Sequence, residues 1–299
     1  MLARATTSRL SIAFERSGPT DGFPVLLVHG WPDSLRCWDP ILPALHQAGY
    51  ETIVPELRGY GGTSFLSAET PRSGETAALA RDVLDLADAI GVPRFGLIGH
   101  DWGTRALYDA AILAPDRITA AVALSLGWRP ASTVSGGLSW AQRQAFWYQW
   151  YLGTEHGAAA FRSDPKGFCR RLWDTWSPPG WYEEAAWERA SAAFSGTDWC
   201  DVVIHYYRAR WGQAPNDPSY KSDFEAVAAA KAIAVPTMII HGVADTCCLP
   251  ELSADCASFF PAGFALEMLE GVGHFPQREN PEAVASRAIH WLAAHPPTA

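Results

Sequence analysis

The chain has 299 residues, 48% of them apolar and 18% charged. That is globular composition, with enough apolar material for one large core or two modest ones, and it excludes a disordered chain. The net charge of −9, from 32 acids against 23 bases with no basic stripe, argues against a nucleic-acid-binding surface.

In chain order, the first 128 residues alternate strand-like and helix-like segments. FPVLLVHG, YETIVPE, RFGLIGH and ITAAVALSL are short, continuously apolar runs closed by Gly, Pro or a polar residue. Buried parallel strands read this way. Between them, Glu75 to Ile90 places Ala78, Leu79, Val83, Leu84, Leu86 and Ala87 largely on one helical face. From about Trp128 the pattern changes to aromatic, helix-like segments such as SWAQRQAFWYQWYLG and DWCDVVIHYYRARWG. Ten of the 14 tryptophans lie between Trp128 and Trp211, which predicts either an aromatic helical core or the wall of an apolar cavity. QAPNDPSYKSD reads as a polar linker out of this region, and strand-like runs return with PTMIIHG and FALEML. The expected organisation is a core of residues 1–128 and 227–299, interrupted by a helical cap of residues 129–226.

No apolar run approaches the roughly 18 residues of a membrane span. MLARATTSRL has no long apolar stretch, so no secretory signal is expected. Six cysteines, at positions 37, 169, 200, 247, 248 and 256, show no metal-ligand spacing, and the adjacent Cys247 and Cys248 are too strained to pair easily. A reduced, cytoplasmic chain without a bound metal fits best.

Ligands of open parallel sheets bind beyond the carboxyl ends of the strands, so the residues after each strand carry the chemistry. After FGLI come Gly99-His100-Asp101-Trp102-Gly103 and a helix starting near Thr104. A nucleophile flanked by small residues between strand and helix is the pattern of a nucleophile elbow. The helix dipole there favours an ionised Asp101. Taken alone, the same aspartate reads equally as a helix N-cap. Asp245 follows PTMIIHG and His274 follows FALEMLEGVG. Singly these read as a turn-forming aspartate and a buried loop histidine. Together the three stand on strand tips in the order nucleophile, acid, histidine. A turn at His29-Gly30-Trp31-Pro32 brings a further backbone N–H beside the elbow, so Trp31 and Trp102 are the expected oxyanion-hole donors.

VHGWPDSLRCWDPILPAL, PELRGYGGTS, IGHDWGTRALYDAAILAPDRI, HGVADTC and GVGHFPQRENPEAV span nearly the whole core. In these segments the chain resembles the α/β-hydrolase superfamily, specifically its epoxide hydrolase and haloalkane dehalogenase branch. The resemblance implies an α/β fold, a mostly parallel central sheet flanked by helices with an inserted helical cap. HGWP resembles the H-G-x-P motif of epoxide hydrolases, whose X-Pro bond is cis in that family. An Asp nucleophile suits attack at an sp³ carbon. It implies an alkyl ester on Asp101, hydrolysed by water that His274 and Asp245 activate. No cofactor is implied.

The leaving group distinguishes the branches. Epoxide hydrolases use two cap tyrosines to protonate the ring oxygen. By resemblance Phe146-Trp147-Tyr148-Gln149-Trp150-Tyr151 assigns Tyr148, and His205-Tyr206-Tyr207-Arg208 assigns Tyr207. Tyr151 and Tyr206 are the alternatives, and plain core packing is the competing role for all four. A halide would need converging donors, for which Trp102, Trp31 and Trp150 are available. Haloacid enzymes of this branch bind a carboxylate through two arginines, and only Arg105 matches. Three functions follow: an epoxide hydrolase, a dehalogenase with the same triad, or a non-catalytic hydrolase-fold binding protein. The expected partners are a small apolar organic substrate and water, with room for a homodimer. Trp31, Trp102 and Trp150 are the tryptophans expected at the pocket.

Overall fold

The computed structural model describes residues 2–130 and 137–297. A nine-stranded sheet runs through it, built from β1 (Leu2–Thr6), β2 (Leu10–Ser17), β3 (Phe23–Val28), β4 (Tyr50–Pro55), β5 (Ser64–Phe65), β6 (Phe95–His100), β7 (Ile118–Leu124), β8 (Thr237–Gly242) and β9 (Phe264–Leu269). The spatial order is β1-β2-β4-β3-β6-β7-β8-β9, with β5 on β2. Every neighbouring pair from β4 to β9 is parallel, whereas β2 meets β1, β4 and β5 antiparallel.

Side chains alternate across the sheet and both faces are covered. Leu26, Val28 and Leu97 enter one apolar cluster, while Val25, Leu27 and Ile98 enter the other. This double burial is why the central strands read as continuous apolar runs. The first two strands were not among the expected elements. β1 pairs only with β2 at the sheet edge, and four of its five residues are exposed, so no apolar run marks it.

The helix expected over Glu75 to Ile90 forms as Thr76–Ala89. Its alanine-rich inner face lies against the helix Trp102–Leu113. The last helix, Pro281–Ala294, starts with Asn280, whose side chain accepts from Ala283 N at 3.2 Å. Such a cap contributes about 1 kcal/mol, and proline at the first helical position removes a donor that would have no partner.

Between β7 and β8 the described residues contain helices and short turns but no strand. These helices run from short ones such as Trp147–Gly153 to the longer Pro165–Trp176 and Thr197–Arg210. Residues 131–136, where the cap was expected to begin, lie outside the described residues. Its expected end at 226 falls inside the helix Lys221–Ala229, which packs on Trp102–Leu113 of the core. The expected linker is anchored: Asp217 pairs with Arg9 at 2.9 Å, and Tyr220 accepts from Arg58 at 2.9 Å. No helix among the described residues is long and apolar enough to cross a membrane.

Candidate active site

Asp101 sits between β6 and the helix Trp102–Leu113 with φ 51° and ψ −111°, a conformation that costs a non-glycine residue about 1–3 kcal/mol. Close packing holds it there. A Cβ on Gly103 would run into the Val28 carbonyl, and one on Gly30 would come within 2.6 Å of the Asp101 Cβ. Thr104 Oγ1 pins the turn by donating to the Gly99 carbonyl at 2.7 Å. The strained turn projects the carboxylate above the sheet, yet only 4% of the residue is exposed.

The two Asp101 oxygens have different partners. Oδ1 accepts from the Trp31 backbone N–H at 3.0 Å. Oδ2 lies 3.7 Å from His274 Nε2. The Trp102 N–H makes no hydrogen bond to this carboxylate among the described residues, so of the two expected oxyanion donors only Trp31 is engaged. The Trp31–Pro32 peptide is cis.

Asp245 follows β8 and meets His274 Nδ1 at 2.8 Å through Oδ2. Its Oδ1 accepts from the backbone N–H groups of Cys247 and Cys248 at 2.7 and 2.9 Å. Burial opposes ionisation of Asp245, but His274 and His241, whose Nε2 lies 3.4 Å from Oδ2, hold its carboxyl down at about 2. Burial likewise opposes the charged form of Asp101, but the adjacent His274, with smaller contributions from His100 and Arg105, outweighs it and leaves the carboxyl below its ordinary value. Desolvation pulls His274 down, yet the two carboxylates, Asp245 foremost, keep its proton well above the ordinary histidine range. The resting state is therefore an imidazolium between two carboxylates. If Asp101 becomes an ester, one of those charges disappears and His274 can take up a water proton.

The cap places two phenols over this group. The rings of Tyr148 and Tyr207 stand 5.3 Å apart and nearly perpendicular, both against Trp31. Tyr148 Oη accepts from Gln149 Nε2 at 2.9 Å, and Tyr207 Oη accepts from Trp102 Nε1 at 3.1 Å. Burial pushes both phenols above their ordinary value, so each keeps its proton. An oxygen already accepting an N–H has its O–H to donate. Tyr206 stacks on Trp102 instead, at 4.2 Å, and Tyr151 packs against Phe168.

One expected pocket residue is misplaced. Trp150 is 37% exposed, stacks on Trp211 at 4.2 Å and donates its indole N–H to the Arg143 carbonyl. It belongs to the cap's outer surface. Trp140 and Trp147 are exposed as well, so the tryptophan-rich segment divides between wall and surface.

Sequence reasoning missed Trp176, which packs edge-on against His274 at 5.0 Å and lies 4.9 Å from Tyr148. It also missed Ser177, whose Oγ accepts from His274 N at 2.9 Å and donates to Glu279 Oε1 at 2.7 Å. Neither stands in a recognisable motif. Gln149 lies beside Tyr148 in the quoted hexapeptide and could have been singled out. A cavity of about 790 Å³ opens beside the site, lined among others by Arg105, Tyr108, Asp109, Trp128 and Arg210. Arg105 is one helical turn beyond Asp101, and Arg210 nearly one turn beyond Tyr207.

A mostly parallel sheet with an aspartate in a strained strand-to-helix turn after β6, an aspartate after β8 and a histidine after β9 has the geometry of a hydrolase class. Residues 24–281 match the alpha/beta hydrolase fold family, and the chain belongs to it. Over 302 aligned positions it is 27% identical to epoxide hydrolase A of Mycobacterium tuberculosis, covering 90% of this chain and 89% of that one. A solved Klebsiella pneumoniae structure, designated a candidate epoxide hydrolase, superposes with a TM-score of 0.91 at 33% identity, covering 97% of this chain and 96% of that one. Epoxide hydrolase A of Mycobacterium thermoresistibile superposes with a TM-score of 0.81 at 24% identity over 98% of both chains. A Salmonella enterica protein designated a candidate acyltransferase reaches the same TM-score at 22% identity, covering 99% of this chain and 95% of that one. At that level the likeness is one of fold, and the reaction has to be argued from the site.

Proposed function

We propose that this hydrolase opens an epoxide to a vicinal diol. The observation that carries the reading is the hydrogen bond from Trp102 Nε1 to Tyr207 Oη. It commits the indole to a phenol and leaves that phenol's proton for a developing alkoxide. A dehalogenase would need the same indole N–H free for a halide, and a second donor beside it. Trp150 supplies none, because its N–H is bound to the Arg143 carbonyl at the surface, and the unpartnered Trp31 indole N–H alone makes no converging pair. The names of the curated relatives point to the same reaction.

In this reading Asp101 Oδ2 attacks a ring carbon and the carbon–oxygen bond breaks. The electron pair goes to the ring oxygen, which takes a proton from Tyr148 or Tyr207. The ester formed on Asp101 no longer holds the His274 proton, which passes to the tyrosinate and restores the phenol. Neutral His274, steadied by Asp245, deprotonates water, and the resulting hydroxide attacks the Asp101 carboxyl carbon. Charge develops on Oδ1, where the Trp31 N–H already donates. Collapse passes the intermediate's hydroxyl proton to the departing alkoxide, releases the diol and leaves His274 protonated beside Asp101, as at the start. The substrate class is a small apolar organic epoxide, and water is the second reactant.

The test is a single turnover of styrene oxide in oxygen-18 water, with enzyme in excess, followed by mass spectrometry of the peptide holding Asp101. Label in Asp101 is expected. Diol formed with an unlabelled Asp101 would overturn the ester route. Halide release from haloalkanes, without diol from any epoxide in a panel, would overturn the substrate class.

A further inference from the structure

The loop that holds Asp245 carries two thiols whose sequence spacing suggests no metal ligation. The fold gives them a third donor. Cys247 and Cys248 are both buried, their sulfurs 4.0 Å apart. One donor atom each from Cys247, Cys248 and His274 all lie within 4.8 Å of one another. The loop is fixed by the two backbone N–H groups that clamp Asp245 Oδ1, so the sulfurs are positioned in advance. His274 Nε2 is buried without a hydrogen-bond partner, and Asp245 holds Nδ1. A carboxylate behind an imidazole is also what orients histidines that bind metals.

We propose that Cys247, Cys248 and His274 form an inhibitory site for a thiophilic d¹⁰ cation of the zinc and cadmium kind. Tetrahedral zinc with sulfur at about 2.3 Å sets two thiolates about 3.8 Å apart, close to the spacing present here. Closing the remaining gap to the imidazole takes movements of about 1 Å. Two further oxygens border the cluster, Asp101 Oδ2 at 3.7 Å from His274 Nε2 and Tyr148 Oη at 3.4 Å from Cys247 Sγ. Sulfur donors reject hard cations such as magnesium and calcium. On binding, each thiol and the His274 imidazolium lose a proton to solvent as sulfur and nitrogen bond the metal, and no electron is transferred. Capture of Nε2 occupies the lone pair that meets water, and capture of Nδ1 breaks the bond to Asp245. Either way His274 stops acting as a base.

Cadmium titration of the whole protein tests this independently of the substrate. The expected result is a thiolate-to-cadmium charge-transfer band that saturates at one cation per chain. Hydrolase activity should fall in parallel, and a chelator should reverse both effects. Magnesium should produce neither. Cys248→Ala should lose the band and bind cadmium at least tenfold more weakly, with Cys248→Ser as a second variant should the first not fold. No band in the unaltered protein would overturn the proposal. So would a band of equal strength and affinity in the Cys248 variants, which would place the cation elsewhere.

Discussion

The Trp102 indole N–H donates to Tyr207 Oη at 3.1 Å, joining the residue after the nucleophile to the cap. In the proposed reaction this one hydrogen bond links attack below to proton donation above. Trp102→Phe keeps the ring and removes the donor. A hydrogen bond of this kind contributes about 0.5–1.5 kcal/mol, so epoxide opening should slow roughly three- to tenfold. Ester hydrolysis should keep its rate, because it does not use Tyr207. Rapid-quench measurement of the two steps separates them.

In the proposed reaction the two tyrosines share one task, and their removal should show it. Tyr148→Phe or Tyr207→Phe alone should leave part of the activity, since the other phenol still donates. The double variant should lose about 10²–10⁴-fold in the opening step. Diol production from styrene oxide reads this directly. Unchanged activity in the double variant would remove the phenols from the mechanism.

Asp245 Oδ2 holds His274 Nδ1 at 2.8 Å, and in the proposed reaction its loss should stall the second step. Asp245→Asn should cut ester hydrolysis by about 10³–10⁴-fold, as judged from comparable triads. Alkyl-enzyme should then accumulate and be visible as an intact-mass increase equal to the substrate. The His274 pKa should also fall toward its ordinary value, which nitrogen NMR would follow.

The same carboxylate gives a pH signature in stability. Its folded value of about 2 lies below the ordinary value near 4. A depressed carboxyl stabilises the fold fully above its unfolded pKa, and that stability is lost as pH falls through the folded value. Thermal melts between about pH 4 and pH 2 should therefore steepen because of Asp245. Asp245→Asn should flatten that limb.

Arg278 and Asp33 make two short contacts, 2.7 and 2.6 Å, with Asp33 fully buried. They tie the loop of Trp31 to the loop of His274. Asp33→Ala leaves a buried guanidinium unpaired and should cost about 3–5 kcal/mol. Denaturant melts measure it. A loss under 1 kcal/mol would mean that water replaces the carboxylate.

The positions of Asp101, Asp245 and His274 were legible because strand tips are marked by local apolar runs and the order of the three is itself informative. Choosing between Tyr206 and Tyr207 required resemblance, since neighbours on a helix point about 100° apart and periodicity alone does not say which faces inward. Trp150 was misplaced for a related reason. It is two residues from Tyr148, about 200° around the helix, so an inward Tyr148 sends it outward. Trp176 and Ser177 were invisible because their contacts with His274 cross 97 or more positions of chain.

Those last two residues have a practical consequence. The Trp176 carbonyl accepts from the backbone N–H groups of both Thr246 and His274, and Ser177 adds its hydroxyl to the latter. The cap thereby supplies part of the floor beneath two core loops. A cap grafted from a relative would bring its own version of this stretch and resettle the loops of Asp245 and His274. Chimeras meant to change only the pocket should cross over after Ser177, or retain Trp176 and Ser177 with the recipient core.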